Sequence, residues 1–503
     1  MTDLIPDIPR LTITHSADGP TQQKLQKMDH LVILVPDSMT RAALQRLPGG
    51  SALQRVQRQV GSKTAVPAAQ TRLANKAATG ISLGMLPKKA STFQRLETAR
   101  KHLAYARTQS NPATLGVLIT GFDDTAAAAL ASALTAAALA LVSPLPTAKS
   151  KPAARPRLRA LQLYGASKPD LRRLRAENAG NHLARWLTVL PPNQLDAASY
   201  RKRASALATR HGWDMTFLDQ KALKRRGAGA FLAVAQAGDA NAGIIRLRYR
   251  PSGKKSGRPD LALVGKGVCF DTGGVNLKPA RYMQNMHDDM QGSAVALGTL
   301  LALTESGSEL DVDCWLAVTE NLIGPAAYKP MDVVTAVDGT TIEVIHTDAE
   351  GRMALADTLA MAAEEKPRVM IDYATLTGAC VAALTTRYSG AFANRDAFNA
   401  AAIEAGAACG ERIWPFPMDD DFDRSLDSPI ADIRQCTLDG EGDHILAARF
   451  LSRFAGKVPW LHLDLASGRH KGGLGHVPSD VTGFGVNVTL SLLLEQDLVT
   501  LAG

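Results

Sequence analysis

Stretches of apolar, β-branched residues alternate with helical stretches along most of this chain, and that alternation restricts the fold more than any other feature. H-L-V-I-L-V-P (30–36) and L-G-V-L-I-T (115–120) read as buried strands with helical segments between them. L-A-L-V-G-K-G-V-C-F-D (261–271), V-D-C-W-L-A-V (312–318), V-M-I-D-Y-A-T-L (369–376) and W-L-H-L-D-L-A (460–466) repeat the pattern later. Near-continuous apolar strands separated by helices require a largely parallel or mixed sheet with helices on both faces. The expected fold is therefore α/β: a small N-terminal α/β domain over 1–168, a linking helix over 169–192 ended by Pro191-Pro192, and a larger catalytic α/β domain over 193–503 with a central mixed sheet flanked by helices. The chain's 503 residues, 46% of them hydrophobic, supply ample apolar surface for two cores. No tandem repeat of fixed period occurs.

One segment, 125–142 (T-A-A-A-A-L-A-S-A-L-T-A-A-A-L-A-L-V), carries no charge and approaches the length of a membrane span. It is mostly alanine, a strong helix former of weak hydrophobicity, and Leu130, Leu134 and Leu141 fall near one helical face. A helix packed on a sheet is expected, with no membrane contact. The N-terminus has no basic stretch followed by an apolar run, so no secretory signal is expected. Five scattered cysteines without a C-x-x-C pair point to a reducing compartment and a cytoplasmic protein.

Charge is unevenly spread. Residues 1–180 hold 25 Lys+Arg against 10 Asp+Glu, and the remainder holds 32 against 38. A basic first third permits a nucleic-acid surface. It lacks basic runs with interleaved aromatics and any helix-turn-helix pattern, so ordinary solvated lysines and arginines are the favoured reading and DNA binding is only weakly supported.

Three strands run into polar clusters. The strand at 261–271 contains Lys266 and leads into Asp271 and Lys278. The I-E-V-I strand (342–345) leads into Asp348, Glu350 and Arg352. The strand at 369–376 leads into T-L-T-G. Between the first two lie Asp288 and Asp289, before a helix of small residues. Ligands of open α/β sheets bind beyond the carboxyl ends of strands, so these clusters can converge on one site. Gathered carboxylates repel one another, and burial worsens the repulsion. Divalent cations remove it, and hard or borderline metals suit oxygen ligands. Taken singly, each cluster has an ordinary explanation, as a helix-terminal acid or a surface ion pair. A two-metal phosphoesterase also remains open on this inventory alone.

Together the motifs resemble the leucyl aminopeptidase family of two-metal exopeptidases. G-K-G-V-C-F-D-T-G-G-V-N-L-K (265–278), D-M-Q-G-S-A (from 289), H-T-D-A-E-G-R-M (346–353) and T-L-T-G (375–378) follow that family's order and spacing. So do P-P-N (191–193) and F-L-S-R-F (450–454), and the likeness spans roughly 175–490. The resemblance implies two divalent ions per subunit, Mn or Zn. Asp271 and Glu350 would bridge them, Asp348 would complete one shell, and Lys266 and Asp289 the other. Lys266 would then have to be neutral, with a depressed pKa. The resemblance further implies that Lys278 stabilises the oxyanion and that Arg352 holds a bicarbonate-like anion relaying a proton. Met286, Thr375, Leu376 and Gly378 would bind substrate. The implied reaction is release of N-terminal, preferably leucine-like, residues from peptides by a metal-activated water, in a homohexamer. Some family members bind DNA, which keeps the basic N-terminal surface of interest. Gly351 would let the chain turn tightly after Glu350.

Departures from the family's pattern are His346 in place of asparagine, the His287-Asp288 pair before Asp289, and Met353 in place of leucine. None removes an implied ligand. Asp288 is the one expected to bear on specificity or metal preference. His346 is read as supporting rather than ligating, and the other histidines and all five cysteines as structural.

Overall fold

A computed structural model describes residues 4–60, 66–254 and 257–503; residues 1–3, the start of the segment inspected for a secretory signal, lie outside them. The chain forms two compact units. One holds Asp7–Asn178 and Lys471–Asp480; the other holds Ala179–His470, Val481–Gly503 and residues 4–6. The division falls inside the helix Leu171–Thr188.

The first unit is built on β1 (Thr12–Ser16), β2 (His30–Pro36), β3 (Ala69–Arg72), β4 (Gly80–Leu86), β5 (Thr114–Ile119) and β6 (Ala160–Tyr164). Their order is β1-β6-β5-β2-β4-β3, parallel except for β3. All seven residues of β2 are buried, as expected for an apolar strand covered on both faces. The alanine-rich segment is the helix Asp124–Val142, capped by Asp123, whose carboxylate accepts from the Ala126 N–H at 2.8 Å. By length and composition it could cross a membrane, but Leu130 and Leu134 are buried in the unit's own core and Leu141 packs against it. Residues 471–480 return to this unit, where Arg100 donates to the Gly475 carbonyl at 2.9 Å.

The second unit contains β7 (Asp214–Asp219), β8 (Gly243–Tyr249), β9 (Leu261–Asp271), β10 (Val312–Asn321), β11 (Val333–Thr335), β12 (Thr341–Glu343), β13 (Val369–Ala374), β14 (Ser389–Ala393), β15 (Ile413–Pro415), β16 (Ile433–Arg434) and β17 (Trp460–Asp464). Eight of them form a mixed sheet in the order β15-β14-β17-β13-β9-β10-β8-β7. The middle four, β17-β13-β9-β10, are parallel, so their carboxyl ends share one edge. One face packs against the helix Gln291–Ser306. The other packs against the helix Glu350–Glu364, over a core that includes Phe231, Trp315, Leu359, Phe450 and Trp460. Burying each such side chain stabilises the unit by roughly 1.5–3 kcal/mol.

The I-E-V-I stretch departs from expectation. Only Thr341–Glu343 is strand, and it pairs with β11 and β16 in a separate three-stranded sheet. Asp348 and Glu350 therefore reach the site from a loop and a helix start, rather than from the end of a main-sheet strand.

Candidate active site

The G-K-G run shows how β9 serves both of its faces. Successive strand residues point to opposite sides. A β-carbon on Gly265 would meet Ser293 Cα at 2.4 Å, and one on Gly292 would meet the Tyr373 carbonyl oxygen at 2.0 Å. Bare backbone on both partners thus lets the start of the helix Gln291–Ser306 lie directly on the strands. Lys266 points the other way. Its side chain passes Gly351, where a β-carbon would sit 2.6 Å from Lys266 Cε and Nζ. Gly351 lies within the helix Glu350–Glu364 and makes room for this lysine; it does not serve a tight turn, since the helix has already begun.

Lys266 Nζ lies 2.8 Å from both Asp289 oxygens and from Glu350 Oε1, and donates to the Thr375 carbonyl at 3.2 Å. Lys278 Nζ lies 2.8 Å from Asp271 Oδ2 and 2.5 Å from Asp348 Oδ1. Oxygen atoms of Asp271, Asp348 and Glu350 lie within 4.8 Å of one another. The seven residues that the sequence motifs single out for metal binding and catalysis thus separate into six that meet here and Arg352, which turns aside. Buried deeply, Arg352 donates to the Gln435 carbonyl at 3.0 Å and to Asp443 Oδ1 at 2.7 Å. Met286, Thr375 and Leu376 are half-buried, and Gly378 is exposed with open space where a β-carbon would stand.

Charge explains the arrangement. Four carboxyl groups face two ammonium groups, so ionising all four would leave two negative charges uncompensated in a largely buried place, and burial opposes that ionisation. Burial and the neighbouring Glu350 push the Asp271 carboxyl up to about 7, against the pull of Lys278 and Lys266. Burial likewise pushes Asp289 up, opposed by Lys266. Burial alone would lower Lys266, but Asp289, Glu350 and Asp271 outweigh it and hold the ammonium above its usual range. Without metal this lysine therefore keeps its proton; the neutral state that the resemblance implies belongs to the metal-loaded site. Glu350 Oε2 is buried without a hydrogen-bond partner among the described residues. An oxygen-rich, anionic cluster with such an orphan is suited to hard or borderline divalent ions, so these residues fit the metals the motifs imply.

A supporting layer went unnoticed in the sequence. Asn321, at the end of β10, donates to Asp271 Oδ1 at 2.8 Å and to the Thr347 carbonyl at 3.0 Å. Thr347 Oγ1 donates to the Gly273 carbonyl at 2.6 Å, and the Tyr328 hydroxyl donates to the Thr347 carbonyl at 2.7 Å. Asp464, at the end of β17, accepts from the Leu376 N–H at 3.1 Å and the Thr377 hydroxyl at 2.7 Å, which fixes the T-L-T-G loop. Gln435 Oε1 accepts from the Ile345 N–H at 2.7 Å and the His346 N–H at 3.2 Å. Strand-end position was the available signal for Asn321 and Asp464; nothing local marks Gln435. His346 Nδ1 accepts from the Asp348 N–H at 3.2 Å, a supporting role. Asp288 is paired with Arg469 at 2.8 Å, and Cys269 is a buried strand residue.

Known proteins share this architecture. The profile of the cytosol aminopeptidase family, catalytic domain, matches residues 182–490. A probable cytosol aminopeptidase from Parasynechococcus marenigrum (strain WH8102) is 38% identical over 481 residues, 93% of this chain and 97% of that protein. Among solved structures, a tomato leucine aminopeptidase mutant superposes with a TM-score of 0.84 at 29% identity, covering 98% of each chain. The leucyl aminopeptidase of Trypanosoma brucei in complex with bestatin gives 0.80 at 25% identity, covering 97% of this chain and 96% of that one. The bottromycin maturation enzyme BotP in complex with Mn gives 0.79 at 28% identity, covering 94% and 100%. On this sequence and fold, the chain belongs to the cytosol aminopeptidase family and is a metal-dependent aminopeptidase.

Proposed function

We propose that this aminopeptidase releases N-terminal residues, preferably apolar and leucine-like, from peptides, using two divalent ions held by Lys266, Asp271, Asp289, Asp348 and Glu350. The observation that carries the reading is the unbalanced charge of the buried cluster: four carboxylates, two lysines and the orphaned Glu350 Oε2. Bound there, such ions supply Lewis acidity and activate a water near neutral pH. Asp271 and Glu350, each under the charge of both lysines, would hold the ions together with Asp348, Lys266 and Asp289. Lys278, held at the rim by Asp271 and Asp348, is placed to stabilise the oxyanion of the attacked carbonyl. Asp289 also suits the substrate's free ammonium, which would account for exopeptidase action. Met286, Thr375, Leu376 and Gly378 would bind the substrate's first residue. Manganese or zinc fits the donor set, and the Mn complex of BotP supports manganese.

The wider expectations stay with the resemblance: a cytoplasmic homohexamer, with Arg352 serving an anion and the basic N-terminal unit a candidate for DNA. A salt-dependent shift of DNA by the full chain tests the last.

The decisive test is leucine-p-nitroanilide hydrolysis by purified protein with added Mn or Zn, beside Asp348→Ala and Lys278→Ala and with a phosphate ester as control. Metal-dependent release lost in both variants supports the reading. A folded protein that binds no metal, or that cleaves only the phosphate ester, overturns it.

A further inference from the structure

On the proposed function the substrate's ammonium meets Asp289, and its first side chain leaves the carbon bonded to that nitrogen. What stands beside Asp289 therefore bears on which side chain is accepted. The preceding residue is Asp288, with its Cα about 3.8 Å from that of Asp289. Its side chain is only 12% exposed, yet it carries a carboxylate, and Oδ2 accepts from Arg469 Nε at 2.8 Å.

Arg469 follows β17, and its neighbours hold it to the same wall. Gly468 lies so close to the start of the helix Gln291–Ser306 that a β-carbon there would stand 2.1 Å from Gln291 Oε1. The Gly468 carbonyl accepts from the Thr482 N–H at 3.0 Å. On the other side, His470 Nδ1 and the Thr386 hydroxyl share a hydrogen bond of 2.8 Å, and Thr386 closely follows the helix Gly378–Leu384 that continues the T-L-T-G loop. That loop is tied to Asp289 in turn, because the Thr375 hydroxyl donates to Asp289 Oδ1 at 2.7 Å. Arg469 is thus joined to the segment of Met286 through Asp288, and to the segment of Thr375, Leu376 and Gly378 through His470.

The pair is one-sided in what it offers. Asp288 is buried, and Arg469 answers its charge. Arg469 is 36% exposed, only its Nε edge is occupied, and its two terminal nitrogens donate to no described residue. Parallel N–H groups at the end of a planar fork match a carboxylate. The methylene stem of the same arginine suits an apolar side chain.

We propose that Arg469, held by Asp288, is a specificity-determining residue that widens the leucine-like preference to N-terminal glutamate, whose side-chain carboxylate it binds; this rests on the aminopeptidase reading. Aspartate, one methylene shorter, is served less well.

The alternative is an ion pair that only braces residues 286–289. The Mn-loaded full chain is assayed on leucine-, glutamate- and lysine-p-nitroanilide, with metal content and circular dichroism as controls. The parent should cleave the glutamate substrate within about tenfold of the leucine one, and the lysine substrate more slowly than either. Arg469→Met keeps much of the stem and removes the donors. Its glutamate-to-leucine ratio of kcat/KM should fall about thirtyfold, as when one partner of a close charge pair is lost. Arg469→Lys should restore part of that ratio. Calorimetry with free L-glutamate gives a readout besides turnover: the parent should bind it more tightly than Arg469→Met by about the same thirtyfold. The proposal is overturned if Arg469→Met keeps the ratio within about threefold of the parent, since a brace moves both substrates alike. A parent that cleaves the leucine substrate but prefers lysine to glutamate also overturns it. A parent that cleaves none of the three defeats the proposed function instead. Glutamate binding weakened by Arg469→Met would then still support the seat, and equal or absent binding in both proteins overturns it.

Discussion

Lys266 Nζ stands 2.8 Å from Glu350 Oε1, and it reaches that position only because the next residue, Gly351, carries no side chain: a β-carbon there would lie 2.6 Å from Cε and Nζ. A strand lysine and a helix-start glutamate are thus joined through a glycine that faces neither solvent nor a turn.

Gly351→Ala tests this packing. In a helix interior the change should stabilise by about 1 kcal/mol from propensity alone. Overpacking against the lysine should cost about 1–3 kcal/mol and displace Nζ. The expected result is a lower Tm together with weaker Mn binding by calorimetry. A raised Tm with unchanged Mn affinity would refute the packing account.

Chelation should inactivate the enzyme without unfolding it. Lys266 and Lys278 already pair with the cluster's carboxylates in the chain alone. EDTA treatment should leave the far-ultraviolet circular dichroism unchanged. Stability should fall by about 2.7 kcal/mol relative to protein with metal at a hundred times its Kd.

Asn321 should matter although it touches no metal in this scheme. It orients Asp271 and ties it to Thr347. Asn321→Ala is expected to weaken Mn affinity about 10–100-fold, with the fold intact by circular dichroism. Equal affinity in parent and variant would remove the residue from the site's support.

Lys278→Met should lower kcat by about 10²–10³ with little change in KM, if the ammonium acts on the developing oxyanion. A rise in KM at constant kcat would assign it to ground-state binding instead.

The N-terminal unit should be acid-sensitive for reasons remote from catalysis. Burial, with Arg72 adding to it, lowers His30 to about 4, and burial, with His30 adding to it, lowers His102 to about 4. Unfolded imidazoles titrate near 6.5, so between the two values the unfolded chain binds more protons. Stability is then complete above pH about 6.5 and declines as pH falls toward 4, by at most about 3.4 kcal/mol per histidine. Hydrogen exchange of β2 and the helix Thr92–Ser110 at pH 7 and pH 5 checks this; His102→Leu should flatten the dependence. Equal protection at both values would refute it.

Apolar runs such as 261–271 revealed their strands because burial on both faces leaves a continuous signal. The residues of the acidic cluster were legible for a related reason: gathered acids and lysines have few inexpensive explanations, and their order matched one family. The three-residue strand at 341–343 misled, because its short apolar run carries no record of which sheet it will join.

The sequence by itself determined the α/β class, the acids and lysines that meet in the buried cluster, and the family. Tertiary structure alone decided that Gly351 yields to Lys266, that Asn321 and Asp464 brace the site, and that Arg352 turns to Asp443, 91 positions along the chain. Periodicity and motif are properties of neighbouring residues, whereas the partner of a buried charge is set by which distant segments the packed sheet and helices bring within hydrogen-bond reach.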